Sequence, residues 1–107
     1  MILLDLGNAL KNVVPECYHY HAHEQTDKYI VWAEDSQANA VWADGKMQEQ
    51  ALSGTVDYFT KTEFDTNVNK IQTTLSQIGV PWRLNSIQYE DDTGYIHYEW
   101  VWSLWHG

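Results

Sequence analysis

Residues 94–105 read Gly-Tyr-Ile-His-Tyr-Glu-Trp-Val-Trp-Ser-Leu-Trp, and this stretch decides the expected fold. Large apolar side chains recur at every second position, namely Ile96, Tyr98, Trp100, Trp102 and Leu104. The positions between them carry smaller or polar side chains that include His97, Glu99 and Ser103. Sustained alternation of this kind predicts an antiparallel strand with one buried face. We therefore expect Trp100 and Trp102 to lie in the core.

The residues before this strand predict a hairpin preceded by a helix. Asp91-Asp92-Thr93-Gly94 has hairpin length and a glycine, so residues 82–90 should pair with residues 94–105. Thr62 and Asp65 resemble a capping box, and Gly79 followed by Pro81 is a helix stop signal. Between these signals an apolar stripe predicts an amphipathic helix: Phe64, Val68, Ile71, Leu75 and Ile78.

The first half of the chain predicts a short helix and several strands. Leu3, Leu6, Leu10 and Val13 mark one helix face, which Pro15 ends; Gly7 weakens this helix by about 1 kcal/mol relative to alanine. Strands are expected at residues 17–23, at residues 29–32, at residues 40–43 and from residue 54 onward. Residues 34–39 and 44–45 read as turns, and residues 47–53 as an extended loop or arm.

The expected architecture is a single α+β domain spanning residues 1–107. Its order is α-β-β-β-α-β-β, with a mainly antiparallel sheet of four or five strands and two helices packed on one face.

The aromatic content is high, with six Trp, seven Tyr and two Phe among 107 residues. A core of this size cannot easily enclose six indoles, and Trp and Tyr are enriched at the centres of protein interfaces. The sequence therefore predicts that some of these side chains face a partner. The candidates for an interface are Trp32, Trp42, Met47 and Trp105.

The charge argues against several functions. The chain has fifteen acidic and six basic residues, which gives a net charge of −9. Specific nucleic-acid binding and attachment to anionic membranes both depend on Lys and Arg, so neither is expected. The start, Met1-Ile2-Leu3-Leu4-Asp5, lacks the features of a signal peptide, and no apolar run reaches the length of a membrane span.

A histidine-rich segment, His19-Tyr20-His21-Ala22-His23, is the feature closest to a chemical motif. On a strand, the three imidazoles would share a face and could bind Zn, Ni or Cu. Contiguous alternating histidines are not an established zinc spacing, so the segment favours an exposed polar face over a metal site. The lone Cys17 is interpreted as a small buried apolar residue. We expect no catalytic residues and no cofactor.

Four segments, in order, resemble a known family. They are Tyr29-Ile30-Val31-Trp32-Ala33-Glu34, Gly54-Thr55-Val56-Asp57-Tyr58-Phe59-Thr60-Lys61, the helix of residues 65–78, and residues 89–98. Together they resemble the small tail-completion and tail-terminator proteins of long-tailed bacteriophages, which are also described as minor tail, minor capsid or neck proteins of phages and prophages.

The resemblance implies a structural protein of the virion that assembles as a ring, commonly of six copies. Its partners would be its own copies, the tail-tube protein and the head-completion protein, at the head–tail junction after assembly in the bacterial cytoplasm. DNA would pass through the ring without specific binding, which suits an acidic chain. The alternatives are a soluble ligand- or glycan-binding module and a histidine-rich metal-binding enzyme.

Overall fold

The computed structural model describes the backbone of residues 3–43 and 46–106 and the side chains of residues 3–37 and 51–104. The elements follow in the order α1 (Leu3–Val13), β1 (Cys17–His19), β2 (Lys28–Ala43), β3 (Lys46–Thr60), α2 (Asn67–Gln77), β4 (Trp82–Tyr89) and β5 (Ile96–His106). Among the described residues, neither helix has the length and apolar character needed to cross a bilayer.

The strands form one five-stranded sheet in the order β1-β2-β3-β5-β4. The pairs β2–β3, β3–β5 and β5–β4 are antiparallel, whereas the short β1 runs parallel to β2. The predicted α+β fold with a mainly antiparallel sheet is therefore confirmed.

The core lies between one face of this sheet and both helices. Register places Trp32 beside Val56, and Val56 beside Trp100, so large apolar groups line one face across three strands. Trp100 and Trp102 are 0% and 1% exposed, as the alternation predicted. The indole nitrogen of Trp100 donates to Oε1 of Gln72 on α2 at 3.0 Å. One buried cluster joins the sheet to both helices, and it includes Leu6, Leu10, Ile30, Trp32, Val56, Tyr58, Ile71, Leu75, Trp100, Trp102 and Leu104.

Helix α1 approaches the sheet closely because of Gly7. A Cβ atom at this position would lie 2.5 Å from Cζ2 of Trp32, a separation that real side chains do not tolerate. The glycine that the sequence marks as a weak point therefore makes room for an indole ring. The low helix propensity of Gly7 is offset by the packing that it permits.

Helix α2 begins later than predicted, at Asn67. Phe64, expected on its apolar stripe, has a positive φ of 57° and a side chain that is 88% exposed. The prediction for Phe64 was wrong because the chain turns just before the helix. Val68, Ile71, Leu75 and Ile78 do contribute to the core as expected.

The turn before α2 is held by the buried carboxylate of Asp65. Its Oδ2 accepts hydrogen bonds from the hydroxyls of Tyr58 at 2.6 Å and Thr60 at 2.7 Å, both on β3. Its Oδ1 accepts the backbone N–H of Asn67 at 2.8 Å. This carboxylate therefore ties the start of α2 to β3 and places a negative charge at a helix N-terminus, where charge of that sign is favourable. The bond to Asn67 replaces the predicted capping box with Thr62.

Several contacts determine the charge state of Asp65. Burial raises the pKa of its carboxyl, but the hydrogen bonds from Tyr58, Asn67 and Thr60 and the nearby Lys28 outweigh burial and bring the pKa below its usual value. The Nζ atom of Lys28 lies 3.3 Å from Oδ2 of Asp65. The ionised carboxylate is thus the form that the folded chain stabilises.

Helix α2 ends at Gln77, and Gly79 is part of its stop signal, as predicted. Gly79 has a φ of +79°, its N–H donates to the carbonyl of Ser76, and the N–H of Val80 donates to the carbonyl of Leu75. These paired bonds are a Schellman motif, for which glycine is the preferred residue. Val80 and Leu75 are both buried in the core, and this contact completes the motif.

The middle of the chain differs most from expectation. Residues 34–39, predicted as a turn, continue β2, and residues 47–53, predicted as an extended loop or arm, are part of β3. The two strands stay paired through three irregularities, at Glu34/Ser36, Gln37/Asn39 and Val41/Trp42. The predicted turn at residues 44–45 lies outside the described residues. The predicted separate strand at residues 40–43 is the end of β2.

Replacing Gly7 with alanine should destabilise the protein by about 1–3 kcal/mol, because overpacking against Trp32 outweighs the gain of roughly 1 kcal/mol in helix propensity. Asn8→Ala, at an exposed position on the same helix, is the control and should stabilise by about 0.5 kcal/mol. Urea unfolding measures both changes. A stabilising effect of Gly7→Ala would show that the indole does not constrain the helix.

Asp65→Asn should destabilise the protein by about 2–3 kcal/mol at pH 7, because it removes an ionised acceptor of several hydrogen bonds. The pKa of Asp65 is lower folded than unfolded, so its stabilisation is complete above the unfolded value of about 3.9 and is lost as pH falls through the folded value. The difference in free energy of unfolding between wild type and variant should therefore become smaller below about pH 4. Urea unfolding across pH tests this, with exposed Asp91→Asn as the control; a difference that does not change with pH would contradict it.

Candidate assembly surfaces

The hairpin of β2 and β3 extends past the rest of the sheet. β1 covers only residues 30–32 of β2, and β5 follows β3 no further than the pairing of Gln50 with His106. In the described part of the chain, residues 41–43 and 46–49 therefore pair only with each other, and we call them the arm. A two-stranded ribbon is marginally stable alone in water, and its unpaired edges can accept a further strand.

Strand β4 forms one edge of the described sheet, with β1 at the other edge, and it carries exposed apolar side chains. Leu84, Ile87 and Tyr89 are 38%, 56% and 64% exposed, and we call these three residues the edge patch. They pair with Trp100, Tyr98 and Ile96, so the edge patch lies on the same sheet face as the core. At the start of β4, Trp82 packs against the buried cluster, whereas the three residues of the edge patch further along this side of the strand stay exposed.

A shallow depression adjoins the edge patch. Its volume is about 640 Å³, and it is lined by Lys61, Glu63, Ile87, Tyr89, Gly94 and Ile96. Phe64 follows Glu63 in the chain and exposes most of its ring. Apolar groups framed by one cation and one anion are typical of a protein contact with a polar rim.

The arm and the edge patch lie toward opposite ends of the sheet. Tyr89 pairs with Ile96, and Ile96 pairs with Thr60 at the end of β3, whereas the arm contains Lys46 at its start. At about 3.3 Å per residue, the path along β3 from Lys46 to Thr60 spans about 46 Å. The longest dimension of the molecule is 52 Å. The molecule therefore presents two unlike surfaces that are far apart.

The four interface residues predicted from sequence fall in different places. Trp32 is 7% exposed, packs against Gly7 and stacks on His19 with ring centroids 4.1 Å apart. It belongs to the core, so its candidacy as an exposed anchor is corrected. Trp42 and Met47 form a cross-strand backbone pair in the arm, and Trp105 pairs with Ala51. The side chains of Trp42, Met47 and Trp105 lie outside the described residues.

Sequence reasoning missed the edge patch. Residues 82–90 were correctly predicted as a strand, but no exposed apolar surface was predicted on it. The sequence does contain one sign of this exposure: polar residues lie beside the apolar ones on β4, and Arg83, Asn85 and Gln88 are also exposed. A strand with both faces largely open to solvent lies at the margin of a sheet.

The histidine-rich segment is a strand only as far as His19 and continues as a loop. β1 ends at His19, and Tyr20 has a φ of 73°, so the alternation of side chains stops there. His19 turns toward Glu34, with Nε2 at 2.8 Å from Oε2, and the hydroxyl of Tyr20 donates to the other oxygen of the same carboxylate. His21 and His23 contact each other with ring centroids 4.9 Å apart. The segment thus separates His19 from the other two imidazoles.

Cys17 is partly buried rather than fully buried as predicted. It packs against the core, and burial raises the pKa of its thiol to about 12, although Lys11 opposes the shift. The thiolate is the reactive form of cysteine, so this environment disfavours nucleophilic chemistry.

A scan of the sequence against protein-family models found no match, and neither did a search of curated proteins.

Proposed function

We propose that this chain is a phage or prophage structural protein that completes or terminates the tail tube and joins it to the head through ring-like self-association. The observation that carries the proposal is the pair of unlike surfaces at opposite ends of the sheet, the arm and the edge patch. The segment pattern of the sequence and the α-β-β-β-α-β-β order support the same function.

A ring requires a head-to-tail contact, in which one patch on each copy binds a different patch on the next. The arm of one copy and the edge patch of its neighbour satisfy this requirement. The arm carries Trp42 and Met47 in its sequence, and large aromatic and thioether side chains are enriched in interface cores. The edge patch offers apolar area together with the free edge of β4, at which a strand could add.

The acidic composition supports a role beside DNA. With a net charge of −9, a ring of several copies would carry a large negative charge. Where that charge lines the channel, it repels the phosphate backbone, so DNA can pass without being held. The partners in this proposal are further copies of the chain, the tail-tube protein and the head-completion protein.

Photocrosslinking tests the head-to-tail contact. With a benzophenone amino acid in place of Trp42 in the arm, irradiation of a mixture of ¹⁴N and ¹⁵N protein should join light and heavy chains. Mass spectrometry should locate the captured residues in β4 or in residues 61–64, because this is the apolar surface at the far end of the sheet. Benzophenone at exposed Asn8 of α1 is the control and should give little capture.

Charged residues at the edge patch should reduce that capture. Ile87→Lys replaces an exposed side chain, so it should change folding stability by no more than about 0.5 kcal/mol while it weakens the contact. Capture of arm by arm would instead indicate a two-fold contact and would contradict the ring arrangement.

Complementation tests the function itself. Disruption of the gene in the phage or prophage that carries it should yield DNA-filled heads and unattached or irregular tails, seen by negative-stain electron microscopy. Wild-type protein supplied from a plasmid should restore joined particles, and Ile87→Lys should not, because it prevents assembly. Arg83→Lys, at an exposed position on the same strand, is the matched control. Normal virions after disruption would refute the proposed function.

A further inference from the structure

A histidine and two carboxylates converge on the sheet face opposite the helices. Asp57 of β3 pairs directly with Glu99 of β5, and His97 lies two residues before Glu99, so all three project from the same face. Their ligand atoms all lie within 4.8 Å of one another. Among the residues whose side chains are described, this is the one group of three or more potential metal ligands that meets this distance.

The surroundings hold the three side chains in place. The side chains of His97 and Asp57 are 19% and 17% exposed, and Nε2 of His97 lies 2.7 Å from Oδ1 of Asp57. The imidazole stacks on the ring of Phe59 with centroids 4.2 Å apart. These groups are therefore ordered by the sheet and by ring packing, unlike side chains on a free surface.

Outer neighbours orient two of the three groups. Nδ1 of His97 faces Oε2 of Glu90 at 3.9 Å, and Oε1 of Glu99 accepts a hydrogen bond from Nδ2 of Asn85 at 2.8 Å. Metal-bound histidines commonly direct their second ring nitrogen to a carboxylate, and metal-bound carboxylates are themselves hydrogen-bonded. Asp57 and Glu99 also lie directly opposite each other, and the repulsion between their two negative charges, which the contact of His97 with Asp57 reduces, would be reduced further by a bound metal ion.

From this geometry we propose that Asp57, His97 and Glu99 bind a divalent first-row transition-metal ion on the open face of the sheet. One imidazole nitrogen and two carboxylate oxygens suit Zn²⁺ or a neighbouring ion, and water completes the coordination. Bonds of about 2.1 Å place ligand atoms no more than about 4 Å apart, so a small rotation of these side chains closes the site. The proposal is independent of ring assembly, because it uses neither the arm nor the edge patch.

Calorimetric titration of Zn²⁺ into tag-free, chelator-treated protein tests this site. Wild type should bind one Zn²⁺ per chain with saturation. Glu99→Gln and Asp57→Asn preserve side-chain shape but remove a ligand charge, and each should weaken Zn²⁺ binding at least about tenfold. His21→Ala/His23→Ala removes the exposed imidazoles of the histidine-rich segment and should change the affinity less than about threefold. Circular dichroism of each variant monitors the fold.

An NMR measurement on wild type avoids any dependence on variant folding. Addition of Zn²⁺ should shift the imidazole resonances of His97 before those of His19, His21 and His23. Three results would overturn the proposal: the absence of saturable binding in wild type, unchanged affinity in both carboxamide variants, or binding that shifts His21 and His23 and leaves His97 unaffected.

Discussion

Three indole rings set the distance between the helices and the sheet, and the rest of the molecule is arranged around them. Trp32, Trp100 and Trp102 occupy the face of the sheet that both helices cover. Each large ring needs a compensating small or polar neighbour. A Cβ atom at Gly7 would lie 2.5 Å from the ring of Trp32, and one at Gly54 would lie 1.9 Å from the carbonyl oxygen of Ala33 and 2.6 Å from the ring of Trp102. Because interiors are close-packed, these glycines are as necessary to the core as the rings they accommodate.

The helices and the strands between them form one connected unit, and the features at its margins differ in character. Within the unit, Asp65 links β3 to α2 through hydrogen bonds that its negative charge strengthens. Outside it, the arm extends from one end of the sheet, and the edge patch lies on the edge strand β4. Asp57, His97 and Glu99 form a polar cluster on the sheet face opposite the helices. The stable centre thus presents three separate surfaces, each made by a different part of the sequence.

The sequence predicted those parts in which local pattern and burial agree. The alternation of β5, the stripe of α2 and the stop at Gly79 all depend on contact with a single core. The errors arise where that contact is missing. Residues 34–39 are mostly polar, and Asp35, Ser36 and Gln37 are exposed, so this part of a long strand resembled a turn. Phe64 is apolar but precedes the helix that Asp65 starts, and its neighbours in sequence do not reveal that turn.

The candidate surfaces were harder to predict because they depend on which strands are neighbours. Alternation placed His97 and Glu99 on one side of their strand, but only the register with β3 brings Asp57 beside them. In the same way, the exposure of Ile87 follows from the position of β4 at the edge of the sheet. Sequence pattern gives the face of a strand, whereas sheet order decides what that face meets.

The continuous pairing of β2 with β3 restricts how the length of the hairpin can vary. Its strands stay paired from the core out to residues 41–43 and 46–49 through three local irregularities, so residue count sets which face of the ribbon each position of the arm occupies. Loss of one residue from each strand would shorten the ribbon by about 3 Å and move each position of the arm to the opposite face. Only removal of two residues from each strand preserves the original facing. Insertions and deletions that leave a contact of the arm unchanged should therefore come in multiples of four residues, two in each strand.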